Sequence, residues 1–96
     1  MKKGYWIVAY RSISDEAALR EYGVLATVAI AEHGGRTLVR TSEVEPREAG
    51  IKLRTVVTEF ESFPKAVECY ESETYQNALK ALGSAAERDF RIVEAF

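Results

Sequence analysis

A lone histidine, His33, an arginine directly behind two glycines, Arg36, and two glutamates set among apolar strand residues, Glu59 and Glu94, have the greatest chemical reach in this 96-residue sequence. His33 has no second histidine and only one cysteine, Cys69, to share a metal with, so no metal site is expected. As a general base it would need an orienting partner that the sequence does not identify, whereas the last turn of a helix favours a cation through the dipole. Gly34-Gly35-Arg36 ends a helix rather than opening one, so the positive helix pole does not favour phosphate there. The Arg36 guanidinium can still fork onto a carboxylate or phosphate, the alternative being a surface ion pair. Glu59 and Glu94 fall in strands, where burial raises a carboxyl pKa unless a cation compensates it. Arg36, Arg40, Arg54 and Arg91 are the available cations.

Tyr22, Tyr70 and Tyr75 offer hydroxyls to a pocket, although tyrosines at helical spacing also build cores. Ser84 is not in a nucleophile elbow and no cofactor fingerprint occurs, so no cofactor is expected. A site for a small anion or organic acid would draw on Arg36, Glu59, Tyr75 and His33, which combine charge or hydroxyl chemistry with strand ends and inward helix faces.

The elements that must hold these groups follow from periodicity. Residues 4–11 are aromatic and β-branched and predict a strand. Ser14 or Asp15 caps a helix with Leu19, Tyr22, Ala26, Ala29, Ile30 and His33 on one stripe, stopped by Gly34 and Gly35. Residues 36–42 and 51–61 predict two strands joined by the charged loop 43–50. Ser62 caps a helix with Phe63, Ala66, Val67 and Tyr70 inward, and Ser72 caps a second segment, 73–82, with Tyr75, Leu79 and Leu82 inward. Residues 90–95 form the last strand. The order is βαββαβ, an α+β ferredoxin-like domain over residues 1–96: a four-stranded antiparallel sheet with its helices on one face.

Two helices cover only one sheet face, yet both faces are apolar. Trp6, Val8 and Tyr10 oppose Tyr5, Ile7 and Ala9; Val56 and Phe60 oppose Leu53 and Val57; Phe90 and Ile92 oppose Val93 and Ala95. A homodimer closed through the open sheet face buries the second set.

A net charge of -2 gives no basic surface for phosphates, so nucleic acid is not an expected partner. No apolar run approaches a membrane span, and one cysteine excludes an intrachain disulfide; a cytoplasmic, membrane-free protein is expected.

The residues Gly4-Tyr5-Trp6, Asp15, Tyr22, Gly34-Gly35-Arg36, Glu59-Phe60, Tyr70-Glu71-Ser72, Tyr75-Gln76 and Glu94, in this order and spacing, resemble the family termed domain of unknown function 1330 (DUF1330), within the dimeric α/β-barrel superfamily. The resemblance runs from Gly4 to Ala95. It implies the ferredoxin-like fold, a dimer with facing sheets and a pocket between sheet and helices in each protomer, but no established reaction. Gly83 stands where family members often carry arginine, which removes a charge from that helix end. Three functional readings follow: a small-ligand binder or cofactor-free enzyme performing proton transfer or oxygenation on an organic acid or enol; a non-catalytic metabolite sensor; and a structural dimer module without ligand.

Overall fold

A computed structural model describes residues 1–96. Strand β1 spans Gly4–Ile13, helix α1 Glu16–Glu32, β2 Arg36–Thr41, β3 Thr55–Phe60, α2 Phe63–Glu71, α3 Glu73–Leu82 and β4 Ala86–Glu94. The strands form one antiparallel sheet in the order β2-β3-β1-β4, and the sheet does not close on itself.

Local chemistry sets the element ends. The Asp15 carboxylate accepts the Ala18 N–H at 3.1 Å, Ser62 Oγ accepts Lys65 N–H at 3.2 Å, and Ser72 Oγ accepts Tyr75 N–H at 3.2 Å, so each helix starts on a side-chain cap. Gly34 at φ 69° leaves α1 in a backbone conformation that glycine adopts without steric cost. Where β1 begins, a Cβ on Gly4 would lie 2.6 Å from the Ser62 carbonyl and the Phe63 backbone, so the α2 start seats against the strand only over glycine.

Strand alternation then divides the sheet. Trp6, Val8 and Tyr10 of β1 face the helices, beside Val56, Thr58 and Phe60 of β3 and Arg88, Phe90 and Ile92 of β4. Trp6 is the hub: its ring centre lies 5.0 Å from Phe60, 4.8 Å from Tyr75 and 5.2 Å from Phe90, and its indole N–H donates to the Ala66 carbonyl at 2.9 Å. That bond satisfies the one polar atom of a buried ring. The opposite face carries Tyr5, Ile7, Val57 and Val93, all half-buried.

The structure moves several expected boundaries. Strand β3 starts at Thr55 rather than 51, because Leu53 N–H turns back onto the Ile51 carbonyl at 2.8 Å. Strand β4 starts at Ala86 rather than 90, extending its pairing with β1 to Ile13. In α2 the buried positions are Ala66 and Cys69, and in α3 they are Tyr75, Ala78 and Leu82. No helix is long and apolar enough to cross a membrane.

Candidate functional site

Helix α1 does not lie flush on the sheet. Between it and the β1–β3 half is a cavity of about 60 Å³, with β2 forming its lip. Trp6, Val8 and Val56 line it from the sheet, and Leu19, Ala26 and Ile30 from the helix. Its polar groups are Tyr10 from β1, Tyr22 and Thr27 from α1, Thr37 and Arg40 from β2, Arg54 and Thr58 from the β3 side, and Arg88 from β4. No aspartate or glutamate lines it. None of the chain's five ion pairs involves Arg40, Arg54 or Arg88, although their partners include arginines across the rest of the surface.

Each cavity group is held by its element. Arg88 stands opposite Tyr10 in the β1–β4 register, on the helix-facing side of β4. Its guanidinium carbon lies 5.6, 4.9 and 5.1 Å from the ring centres of Tyr10, Tyr22 and Phe90, and Nη1 donates to the Tyr22 hydroxyl at 3.0 Å. Burial opposes its charge, but the Tyr22 and Tyr75 hydroxyl oxygens outweigh that and hold its pKa high. Arg54 is fixed through its backbone, whose carbonyl accepts Tyr10 N–H at 3.0 Å, and its guanidinium carbon lies 5.9 Å from the Tyr10 ring centre. Thr58, 1% exposed, pairs with Trp6 on one side and Thr37 on the other.

Two polar atoms are buried without a partner: Arg54 Nε and Thr58 Oγ1. Both belong to residues on this cavity wall. An orphaned buried polar group costs about 1–3 kcal/mol, so two at one concavity mark a place where something else completes them.

The Tyr22 and Tyr75 hydroxyls are 2.6 Å apart. Tyr75 is fully buried, and burial pushes its pKa up so that it stays a neutral phenol; its other polar neighbour, Arg88, can only donate. Its proton is satisfied only if it donates to Tyr22. The Tyr22 oxygen then accepts from both Tyr75 and Arg88, and its own proton is free for the cavity. Tyr22 O–H, Thr58 O–H and Arg54 Nε–H are thus three donors, in a field of unpaired guanidinium groups, with no base among them. Such a set complements an anion or a polarised carbonyl oxygen.

The four residues expected to form a site do not converge on one concavity. Arg36 and Glu59 face each other on the opposite sheet face, with Nη2 and Oε1 3.3 Å apart, and Glu59 Oε2 also accepts the Tyr5 hydroxyl at 3.0 Å. That hydrogen bond, more than burial, raises the Tyr5 pKa. Glu94 is exposed at the end of β4. His33 caps α1, its Nδ1 donating to the Ala29 carbonyl at 2.8 Å, beside a shallow groove with Phe63, Val67, Glu68 and Glu71. Tyr75 meets the cavity only through Tyr22. Strand parity separates the first pair from the cavity, because Arg36 and Glu59 have the phase of Tyr5 rather than Trp6.

The family model described as "Domain of unknown function (DUF1330)" matches residues 3–96. The chain belongs to the DUF1330 family. No curated protein matches it. Among solved structures, this DUF1330 chain is similar to a protein of unknown function from Rhodopseudomonas palustris, at 15% identity over 99% of this chain and 83% of that one, with a TM-score of 0.74. SnoaB, a cofactor-independent oxygenase from Streptomyces nogalater, matches at 10% identity over 100% and 95% of the two chains, with a TM-score of 0.63. A proposed antibiotic biosynthesis monooxygenase from Nitrosomonas europaea matches at 17% identity over 100% and 93%, with a TM-score of 0.64. At these identities the likeness is one of fold, the ferredoxin-like arrangement.

Proposed function

We propose that this DUF1330 domain binds a small organic acid in the cavity between α1 and the sheet. The observation that carries the reading is the pair of orphaned buried atoms, Arg54 Nε and Thr58 Oγ1, on a wall that holds three arginines and no carboxylate. A half-buried guanidinium without a counter-ion is costly, and a bound carboxylate removes that cost while giving Arg54 Nε an acceptor. The ligand's apolar part would rest on Trp6, Val8 and Val56. Because the cavity contains no carboxylate or histidine, its residues support binding and the stabilisation of negative charge on an oxygen, not abstraction of a proton. Cofactor-free chemistry on an enol or keto acid, in keeping with the oxygenase activity of SnoaB, is the enzymatic form of this reading, and metabolite sensing is the non-catalytic form.

The second half of the proposal is a homodimer through the open sheet face, where Tyr5, Ile7, Val57 and Val93 have no covering element. The Arg36–Glu59–Tyr5 cluster lies on that face, so its role is to set polar register between two sheets. A purely structural dimer leaves the cavity donors unexplained, and for that reason it ranks below the ligand-binding reading.

Thermal-shift measurements test the first claim. Acetate, pyruvate, benzoate and phenylacetate are compared with their amides. Acids in excess should raise the melting temperature, by about 2.7 kcal/mol of stabilisation at a hundredfold excess over Kd, and the amides should not. Failure of every acid, together with equal behaviour of acid and amide, rejects the reading. Turnover of a stabilising acid separates the enzyme from the sensor.

A further inference from the structure

The cavity is continuous with an outer groove: Leu19, Gly23, Thr27, Arg40 and Arg54 line both, and the groove adds Glu16, Arg20 and Val24. Cationic groups therefore occur at two depths. Arg88 is at the inner pole, tied to Tyr22 and enclosed by aromatic rings. Arg54 and Arg40 are at the lip, with Arg20 beyond them, and none of the three has a carboxylate within ion-pair distance. Only Glu16 contributes a negative charge to the outer groove.

Building on the proposal that this cavity takes an organic acid, we infer that the ligand carries two acidic groups: a short-chain dicarboxylate lying across the Tyr10 ring. One carboxylate sits at Arg88 and Tyr22, the other between Arg54 and Arg40. The guanidinium carbons of Arg54 and Arg88 lie 5.9 and 5.6 Å from the same ring centre, so they stand no further apart than those two distances laid end to end. A four- or five-carbon diacid spans such a gap. A single carboxylate would neutralise one pole and leave the other uncompensated in a partly dehydrated wall, where unscreened charge is most expensive.

Titration calorimetry on the full-length protein decides the matter, with succinate and glutarate set against butyrate and valerate, their monoacid counterparts of equal length. The diacids should bind at least about tenfold more tightly. Arg54→Gln and Arg40→Gln should each weaken the diacids by a larger factor than the monoacids, so that the gap between the two series narrows in both variants. Arg40 is on the exposed edge strand, so its variant keeps the test open if Arg54→Gln misfolds. Equal affinity of mono- and diacids in the parent protein would overturn the two-pole ligand while leaving the acid-binding reading intact. Absence of binding by either series would overturn both.

Discussion

Arg88 donates to the Tyr22 hydroxyl across 3.0 Å while its guanidinium carbon lies 4.9 Å from the centre of the same tyrosine's ring. The charge is thus surrounded by π faces and the tyrosine hydroxyls, with no anion beside it. A group built for folding alone would be expected to have its counter-ion within the chain.

Arg88→Met separates the two roles. The flexible thioether fills similar space among the rings, so the ligand-free variant should unfold within about 1 kcal/mol of the parent, because the loss of cation–π contacts is offset by removal of a half-buried charge without a counter-ion. Acid-induced stabilisation should disappear. Denaturant titration with and without acid reads both quantities. A loss of several kcal/mol in the ligand-free protein would make Arg88 a structural strut instead.

Cys69 gives the fold an alkaline limit. Its thiol is buried against the Ala29 carbonyl, and burial, helped by Glu32 and Glu68, pushes its pKa up to about 12 from an ordinary value of 9.0. The unfolded chain therefore releases this proton first as pH rises. Stability is fully present below pH 9 and falls by up to about 1.4 kcal/mol for each further unit until the folded thiol ionises. Burial of Tyr75 acts in the same direction. Chemical denaturation between pH 8 and 11 should show that decline, and Cys69→Ala should flatten part of it. Superimposable profiles for the two proteins would refute this account of the alkaline limit.

How much of this was legible in the sequence depended on strand phase. The alternation of Trp6, Val8 and Tyr10 against Tyr5 and Ile7 is visible directly, and it places the core, the open face and the βαββαβ order. Arg88 was hidden because the run Glu87-Arg88-Asp89 reads as a loop. In the structure the two acids point to the open face while Arg88 takes the phase of Phe90 and Ile92. Starting β4 at 86 rather than 90 would have exposed the signal: an arginine in phase with Ala86, Phe90 and Ile92, with Glu94 only at the strand's end. Thr58 carried a weaker signal of the same kind, between Val56 and Phe60. Arg36 and Glu59 were found as a pair, but the distance between the two sheet faces cannot be read from charge alone. His33 and Tyr75 had helical phases compatible with several surroundings, and only packing chose among them.

The assembly is tested on the open face. Light scattering should return twice the 10.7 kDa chain mass at micromolar concentration. Val57→Lys puts a charge among Ile7, Val39 and Tyr5 without touching the helix-facing core, so it should yield monomer or aggregate. A parent protein that stays monomeric, or a variant that dimerises like the parent, would remove the sheet-to-sheet dimer.

Binding in the cavity under α1 is read out residue by residue in amide chemical-shift mapping during titration with succinate and then glutarate. Saturable shifts should concentrate on Trp6, Tyr22, Arg54, Thr58 and Arg88, with the Arg54 Nε–H signal moving downfield as it gains an acceptor. Tyr5, Arg36 and Glu59 on the open face, and His33 in its groove, should stay in place. Shifts confined to the open face or the His33 groove, or none at millimolar acid, would show that the cavity under α1 is not the binding site.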